Sequence, residues 1–201
     1  MKKIILLSCM VLASVCCMAQ NAKEALKVLD KTAAIVGRNG GAYAGFSISG
    51  SKLGATSGTI AIKGNKFYAH TPQATVWFNG KTQWAYMKAT NEVNVTTPNE
   101  AKKAQMNPYK FITLYKSGYN LTSKKQGNAY QIHMVAQDKK RSIQELYITI
   151  GKNYIPSQVK MRQGTNWTTI NITNFKAKNQ SDAVFTFNAK EFPKAEVIDL
   201  R

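Results

Sequence analysis

The stretch from Gly58 to Tyr86, GTIAIKGNKFYAHTPQATVWFNGKTQWAY, limits the fold more than any other part of the chain. Ile60 and Ile62 alternate with Thr59, Ala61 and Lys63, and Phe67 and Ala69 alternate with Tyr68 and His70. A period of two is the pattern of a strand, not of a helix. Gly64-Asn65 separates the first two runs, and Asn79-Gly80 separates Val76-Trp77-Phe78 from Trp84-Ala85-Tyr86. Two-residue turns are expected at both places, because Asn-Gly accepts positive φ at both central positions of a tight hairpin. Many large apolar and aromatic side chains sit here without a cluster of reactive groups. The expected product is a sheet that presents apolar surface, not a reaction centre.

The rest of the chain extends this pattern. Asn21 to Val36 reads as an amphipathic helix, with Ala22, Ala25, Leu26, Leu29, Ala33 and Val36 near one face and Lys23, Glu24, Lys27 and Lys31 opposite. Gly37 and Gly40-Gly41 end it. Ala44-Phe46-Ile48 and Val93-Val95 flank the central block as further strands. From Pro98 the pattern turns helical, and Asn107-Pro108 is a good start signal, with Phe111, Ile112, Leu114 and Tyr115 as the apolar face and Gly118 as the stop. Strand patterns resume at Tyr119-Leu121, Tyr130-Ile132-Met134, Leu146-Ile148-Ile150, Ile155 to Met161, Thr168-Ile170-Ile172 and Phe185-Phe187. About ten strands at this spacing make an antiparallel barrel or a sandwich, mainly β, in one domain. The helical interruption between two blocks of strands stands where a lid or plug would go.

The first nineteen residues read as a cleavable signal peptide. Lys2-Lys3 supplies the positive start, Ile4 to Val15 the apolar run and Cys17-Met18-Ala19 the cleavage site. That run is shorter than the roughly 20 residues that span a bilayer. A domain over residues 20–201, exported to the periplasm, is expected. Leu6-Leu7-Ser8-Cys9 is a rival lipoprotein-processing site, but its apolar core would be short. Cys9, Cys16 and Cys17 all fall within the leader, so neither disulfides nor thiolate chemistry are expected of the mature chain. Loss of Lys2 and Lys3 takes the formal charge from +18 to +16. Such a balance suits nucleic acid, anionic membrane or acidic protein. Export and the absence of any zinc-finger, helix-turn-helix or RNP-type pattern speak against nucleic acid, which leaves transient contact with a membrane surface or an acidic partner.

Catalytic chemistry finds little support. His70 and His133 are the only histidines, each on a strand pattern and without metal-ligand spacing. No GxSxG, paired carboxylates or phosphate-binding glycine loop is present, so no catalytic residue, metal or cofactor is expected. An apolar surface this large is either closed core or the lining of a cavity for an apolar ligand. Met87, Met106, Met134 and Met161 would suit a pliable wall.

Four stretches carry a resemblance to a known family: Ala25 to Ala34 (ALKVLDKTAA) followed by Ala44-Gly45-Phe46-Ser47; Gly58 to Lys63 leading through Phe67 to Asn79-Gly80-Lys81-Thr82-Gln83-Trp84-Ala85-Tyr86; Asn107-Pro108-Tyr109; and Phe185-Thr186-Phe187 with Val197 to Arg201. Their order and spacing, over nearly the whole mature chain, resemble the outer-membrane lipoprotein carrier family (LolA), in particular a branch from Bacteroides-type bacteria. The resemblance implies an incomplete, half-open antiparallel barrel whose apolar concave face is covered by helices. It implies a periplasmic shuttle, taken here as a monomer, that accepts acylated lipoproteins from an inner-membrane lipoprotein-releasing transporter and hands them to an outer-membrane acceptor. Many carriers have an arginine latch directly after the first-hairpin lysine; here Gly64 follows Lys63, so Lys63 or Lys66 would have to replace it.

On that basis one alternating face is expected to line the cavity: Phe46, Ile48, Ile60, Ile62, Phe67, Val76, Phe78, Trp84, Tyr86, Ile132, Met134, Leu146, Ile148, Val159, Met161 and Ile170. Leu26, Leu29, Phe111, Leu114 and Tyr115 are the lid-side candidates. Two other readings stand beside the carrier: a regulatory domain of the same fold that senses lipids or lipoproteins, and an exported enzyme acting on lipid or glycan.

Overall fold

A computed structural model describes residues 21–50, 54–99 and 113–201. Its frame is one helix, α1 (residues 21–36), and twelve strands. These are β1 (Ala42–Gly50), β2 (Gly54–Lys63), β3 (Lys66–His70), β4 (Ala74–Phe78), β5 (Gln83–Met87), β6 (Glu92–Thr96), β7 (Tyr119–Gln126), β8 (Ala129–Ala136), β9 (Glu145–Gly151), β10 (Pro156–Gln163), β11 (Asn166–Lys176) and β12 (Glu196–Asp199). All twelve belong to one sheet, in the order β12-β6-β5-β4-β3-β2-β1-β11-β10-β9-β8-β7. Its two edges, β12 and β7, are not paired with each other, so the sheet is an unclosed barrel.

Every neighbouring pair is antiparallel except β12 on β6, which is parallel. Two meanders, β1–β6 and β7–β11, meet where β1 pairs with β11, in register from Gly45↔Thr173 to Gly50↔Thr168. Residues 97–118 connect β6, beside one edge, to β7, at the other. The helix expected from Asn107 falls almost wholly outside the described residues. Within them, Leu114–Lys116 forms a single 3-10 turn.

Turn geometry separates the two hairpins of the central block. Gly64-Asn65 is a two-residue loop closed by the Lys63↔Lys66 pair, but only Gly64 has positive φ, at 58°. Glycine first with an ordinary second residue fits the other primed turn, not the form with both residues left-handed. The connection at Asn79-Gly80 is longer than expected, running through Asn79–Thr82 between Phe78 and Gln83. Asn79 Oδ1 accepts from the backbone N–H groups of Lys81 and Thr82, at 3.0 and 2.9 Å, and Gly80 takes φ +97°. The side chain thus supplies the hydrogen bonds that a two-residue turn would have drawn from the ladder.

α1 packs on the β7–β10 half of the concave face. Ala25, Val28, Leu29, Thr32, Ala33 and Val36 form its buried stripe. Beneath it lie Ile132, Met134, Leu146, Ile148 and Met161, all buried in one cluster with the helix. Polar contacts fasten its rim: Glu24 to Ser123 and Lys125, Asp30 to the Tyr115 hydroxyl at 2.6 Å, and Lys31 to the Tyr154 hydroxyl at 3.1 Å.

Between β11 and β12, residues 181–195 form a belt across the convex face. The strand expected at Phe185-Phe187 is not formed. Asp182–Phe185 is a 3-10 turn whose cap Ser181 accepts from Ala183 N–H, and Asn188 caps the next turn in the same way. Such side-chain bonds compete with a strand ladder. Phe185 is 0% exposed, and Phe187 and Phe192 pack edge-on against Trp77 with ring centroids 5.4 and 5.5 Å away.

Candidate ligand-binding hollow

The hollow follows from residue size along strands that share one face. Cross-strand pairing puts Ala42, Ala44, Phe46 and Ile48 of β1 on the same side as Ile60 and Ile62 of β2 and Ile170 and Ile172 of β11. Ala69 of β3 stands opposite Ile60. Where the neighbouring positions have Ile or Phe, the alanines leave space. The result is a cavity of about 320 Å³ lined by Val36, Ala42, Tyr43, Ala44, Gly45, Phe46, Ile48, Ile60, Ile62, Ala69, Pro156, Val159, Ile170, Ile172 and Phe175. Tyr43 is the only one of these with an ionisable side chain. A surface of this kind holds hydrocarbon and offers nothing to a charge.

Six of the expected cavity residues line this hollow: Phe46, Ile48, Ile60, Ile62, Val159 and Ile170. Phe67, Phe78, Ile132, Met134, Leu146, Ile148 and Met161 are instead buried in the packed core, and Val76 packs against that core. Their face is the expected one, but for the β8–β10 members α1 fills the space in front of it. Trp84 and Tyr86 belong to the opposite face. Trp84 pairs with Trp77, and the Tyr86 ring lies 4.7 Å from that of Phe192 in the convex belt. Loop length alone carries this information. A hairpin loop of two or of four residues pairs an even-numbered residue of β5 with an odd-numbered one of β4, which separates Trp84 from Val76 and Phe78.

The lid candidates divide too. Leu29 is buried and Tyr115 is buried with its hydroxyl on Asp30, while Leu114 packs partly against the core. Leu26 is 40% exposed, because it stands about 90° round the helix from the centre of the buried stripe, at 3.6 residues per turn. Phe111 and Met106 lie outside the described residues. Val36, Ala42, Ala44, Ala69, Ile172 and Phe175 were not expected at the cavity. Ala42 and Ala44 share the parity of Phe46 and Ile48 on β1, and Ala69 that of Phe67 on β3, which is the signal that places them. Of the other methionines, Met134 and Met161 are core and Met87 is exposed.

The lysines considered as a lid latch face the other way. Lys63 Nζ lies 2.9 Å and Lys66 Nζ 3.1 Å from Asp182 carboxylate oxygens, and Lys63 also donates to the Gln180 carbonyl. Hydrogen bonds from the two lysines hold the Asp182 carboxyl below its ordinary range. The pair therefore fastens the C-terminal belt.

Neither histidine stands in the hollow. His70 Nδ1 is 2.8 Å from Thr75 Oγ1. His133 stacks on Tyr147, with centroids 4.2 Å apart, and Glu145 is bonded to His133, Tyr147 and Arg162 at 2.9–3.0 Å. Burial alone would raise the Glu145 carboxyl, but these three hydrogen bonds outweigh it and hold the group low. The carboxylate is tied to β8 by His133, to β10 by Arg162 and along β9 by Tyr147, which is the chemistry of a surface staple. Among the described residues, no three His, Cys, Asp or Glu side chains group as metal ligands.

An unclosed β-barrel with a helix over part of its concave face and an unfilled apolar hollow beside that helix defines a class of binding scaffold. Over residues 15–165 the chain matches the family described as outer membrane lipoprotein carrier protein LolA, and it belongs to that family. Members of the family are generally binding or carrier proteins, not enzymes. A crystal structure of an uncharacterized conserved protein from Thermus thermophilus is similar over 88% of this chain and 99% of its own, with TM-score 0.59 and 13% identity. Also similar is a LolA superfamily protein from Nitrosomonas europaea, with TM-score 0.43 and 10% identity over 81% of this chain and 97% of that one. The fold comparison rests on the first of these. A search of curated proteins gives no significant match.

Proposed function

We propose that the protein is a periplasmic chaperone that binds acyl chains of lipoproteins in the hollow and carries them from an inner-membrane releasing transporter to an outer-membrane acceptor. In this reading residues 1–19 are the cleaved leader and 20–201 the carrier domain, acting as a monomer. The observation that supports it is the apolar space between β1, β2 and β11, left unfilled in a chain of the carrier family.

The energetics call for such a device. A chain of about 15 methylenes costs on the order of 12 kcal/mol to expose to water, at about 0.8 kcal/mol each. A lipoprotein released without cover would aggregate before crossing an aqueous gap. A cover that fitted too tightly would not release to the acceptor, and a wall without charge or directional bonds meets both needs. The test is to incubate the purified protein with membranes that contain acylated lipoprotein and their transporter. Soluble complexes of lipoprotein with this chain are expected. A folded protein that leaves all lipoprotein in the membrane refutes the carrier reading.

A further inference from the structure

A second cleft adjoins the hollow and has the opposite chemistry. Lys176, the last residue of β11, stands opposite Tyr43 of β1, and Lys178 and Gln180 follow in the loop beyond it. These four residues line an open cleft of about 190 Å³. Tyr43 borders both the cleft and the hollow. No carboxylate lines the cleft, and its polar groups are rich in donors: two ammonium groups, a phenol and one amide.

The loop that presents these donors is fixed by its own hydrogen bonds. Lys178 N–H donates to the Lys176 carbonyl at 3.0 Å, closing a three-residue turn, and Gln180 Nε2 donates to the Lys178 carbonyl at 3.0 Å. Gln180 N–H donates to the Gly40 carbonyl at 2.8 Å, and the Gln180 carbonyl accepts from Lys63 Nζ at 3.1 Å. Arg38 donates to Asn179 Oδ1 at 3.0 Å. The Lys176 and Lys178 ammonium groups and the Tyr43 hydroxyl, by contrast, make no hydrogen bond or ion pair among the described residues. The backbone is anchored while the donors stay free.

Charge points the same way. The groups that line the cleft or are bonded around it include Arg38, Lys63, Lys66, Lys176 and Lys178 against one carboxylate, Asp182, which Lys63 and Lys66 share. Five cations against one anion leave an excess of four positive charges. Such an excess draws an anion of more than one charge. A carboxylate brings two oxygens and a single charge. A phosphate group, with three acceptor oxygens and a charge of about −1.5 to −2 at neutral pH, matches two ammonium groups and a hydroxyl.

We propose that the cleft at Tyr43, Lys176, Lys178 and Gln180 binds a phosphate group, either free or as the monoester headgroup of a lipid. The site does not depend on the carrier reading, because neither of its lysines lines the hollow.

NMR titration of the isotope-labelled full mature protein tests it with three probes: inorganic phosphate, octyl phosphate below its micellar concentration, and octyl glucoside as the same chain without charge. The backbone amide signals of Lys178 and Gln180 should move with both phosphates. Lys176→Gln and Lys178→Gln should each weaken that binding about fivefold, the upper end for an exposed ion pair, and about twenty-five-fold together. Lys139→Gln with Lys140→Gln removes the same charge from the turn between β8 and β9 and should keep the parent affinity. Octyl phosphate that binds more tightly than inorganic phosphate, and loses this in the Lys176 and Lys178 pair, supports the site with a lipid headgroup as the source. Equal affinities support it with free phosphate as the source. No binding of either phosphate, full affinity in the Lys176 and Lys178 pair, or an equal loss in the Lys139 and Lys140 pair overturns the site. Each of these leaves hydrocarbon binding in the hollow, read from octyl glucoside, to stand or fall by itself.

Discussion

Ile48 and Ile148 are both strand isoleucines on the concave face, and truncating each to alanine distinguishes an open hollow from packed core. Ile148 is 1% exposed beneath α1, among Ile132, Leu146 and Val159. Removing three buried carbons forfeits about 2.4 kcal/mol of transfer energy at about 0.8 kcal/mol each. The void left behind raises the loss to about 4 kcal/mol, within the range of comparable truncations. In a domain of this size one kcal/mol moves Tm by about 2–4 °C, so Ile148→Ala should melt about 8–16 °C lower. Ile48 is half-buried and already borders open space. Half the transfer term and no new void leave about 1.2 kcal/mol, or about 2–5 °C. The binding ranking should reverse. Ile48→Ala removes part of the wall and should weaken a dodecyl ligand about fivefold, whereas the folded fraction of Ile148→Ala should bind normally. Thermal melts by circular dichroism with calorimetry on the same samples give both numbers. Equal falls in Tm would mean that the region around Ile48 is packed core, and the reasoning from the hollow would fail.

Two further outcomes concern the belt. Asp182 is held below its ordinary pKa by Lys63 and Lys66, so its ion pairs stabilise the fold above the unfolded carboxyl's pKa, about 3.9, and are lost as pH falls through the folded value. Asp182→Asn should therefore lower Tm at neutral pH and converge with the parent in acid; a gap that does not narrow as pH falls below the unfolded carboxyl's pKa would contradict the assignment. Phe192→Ala should uncover Trp77, with which it is in edge contact, and shift tryptophan emission to longer wavelength, while an unchanged spectrum would place the belt elsewhere.

Local chemistry determined much of this protein. Alternation in β1–β3 and β8–β11, the helix over 21–36 and the turn at Gly64-Asn65 are written in neighbouring residues, because strand and helix periods act over a few positions. Even the separation of Trp84 and Tyr86 from the hollow is present in an even-numbered hairpin loop. Other features depend on what packs against each face. Val76, Trp77 and Phe78 are apolar in succession because α1 and the core bury one side of the sheet and the belt buries the other, so alternation vanishes where both faces are covered.

The same applies to the split between core and cavity. Ile148 and Ile48 are identical in type, parity and strand context, yet one is sealed under α1 and the other borders the hollow. Nothing within a few residues of either records where a distant helix will end. The hollow exists because α1 ends beside Ala42, Ala44 and Ala69 without filling the space they leave, and only the tertiary arrangement of that helix on the sheet decides it.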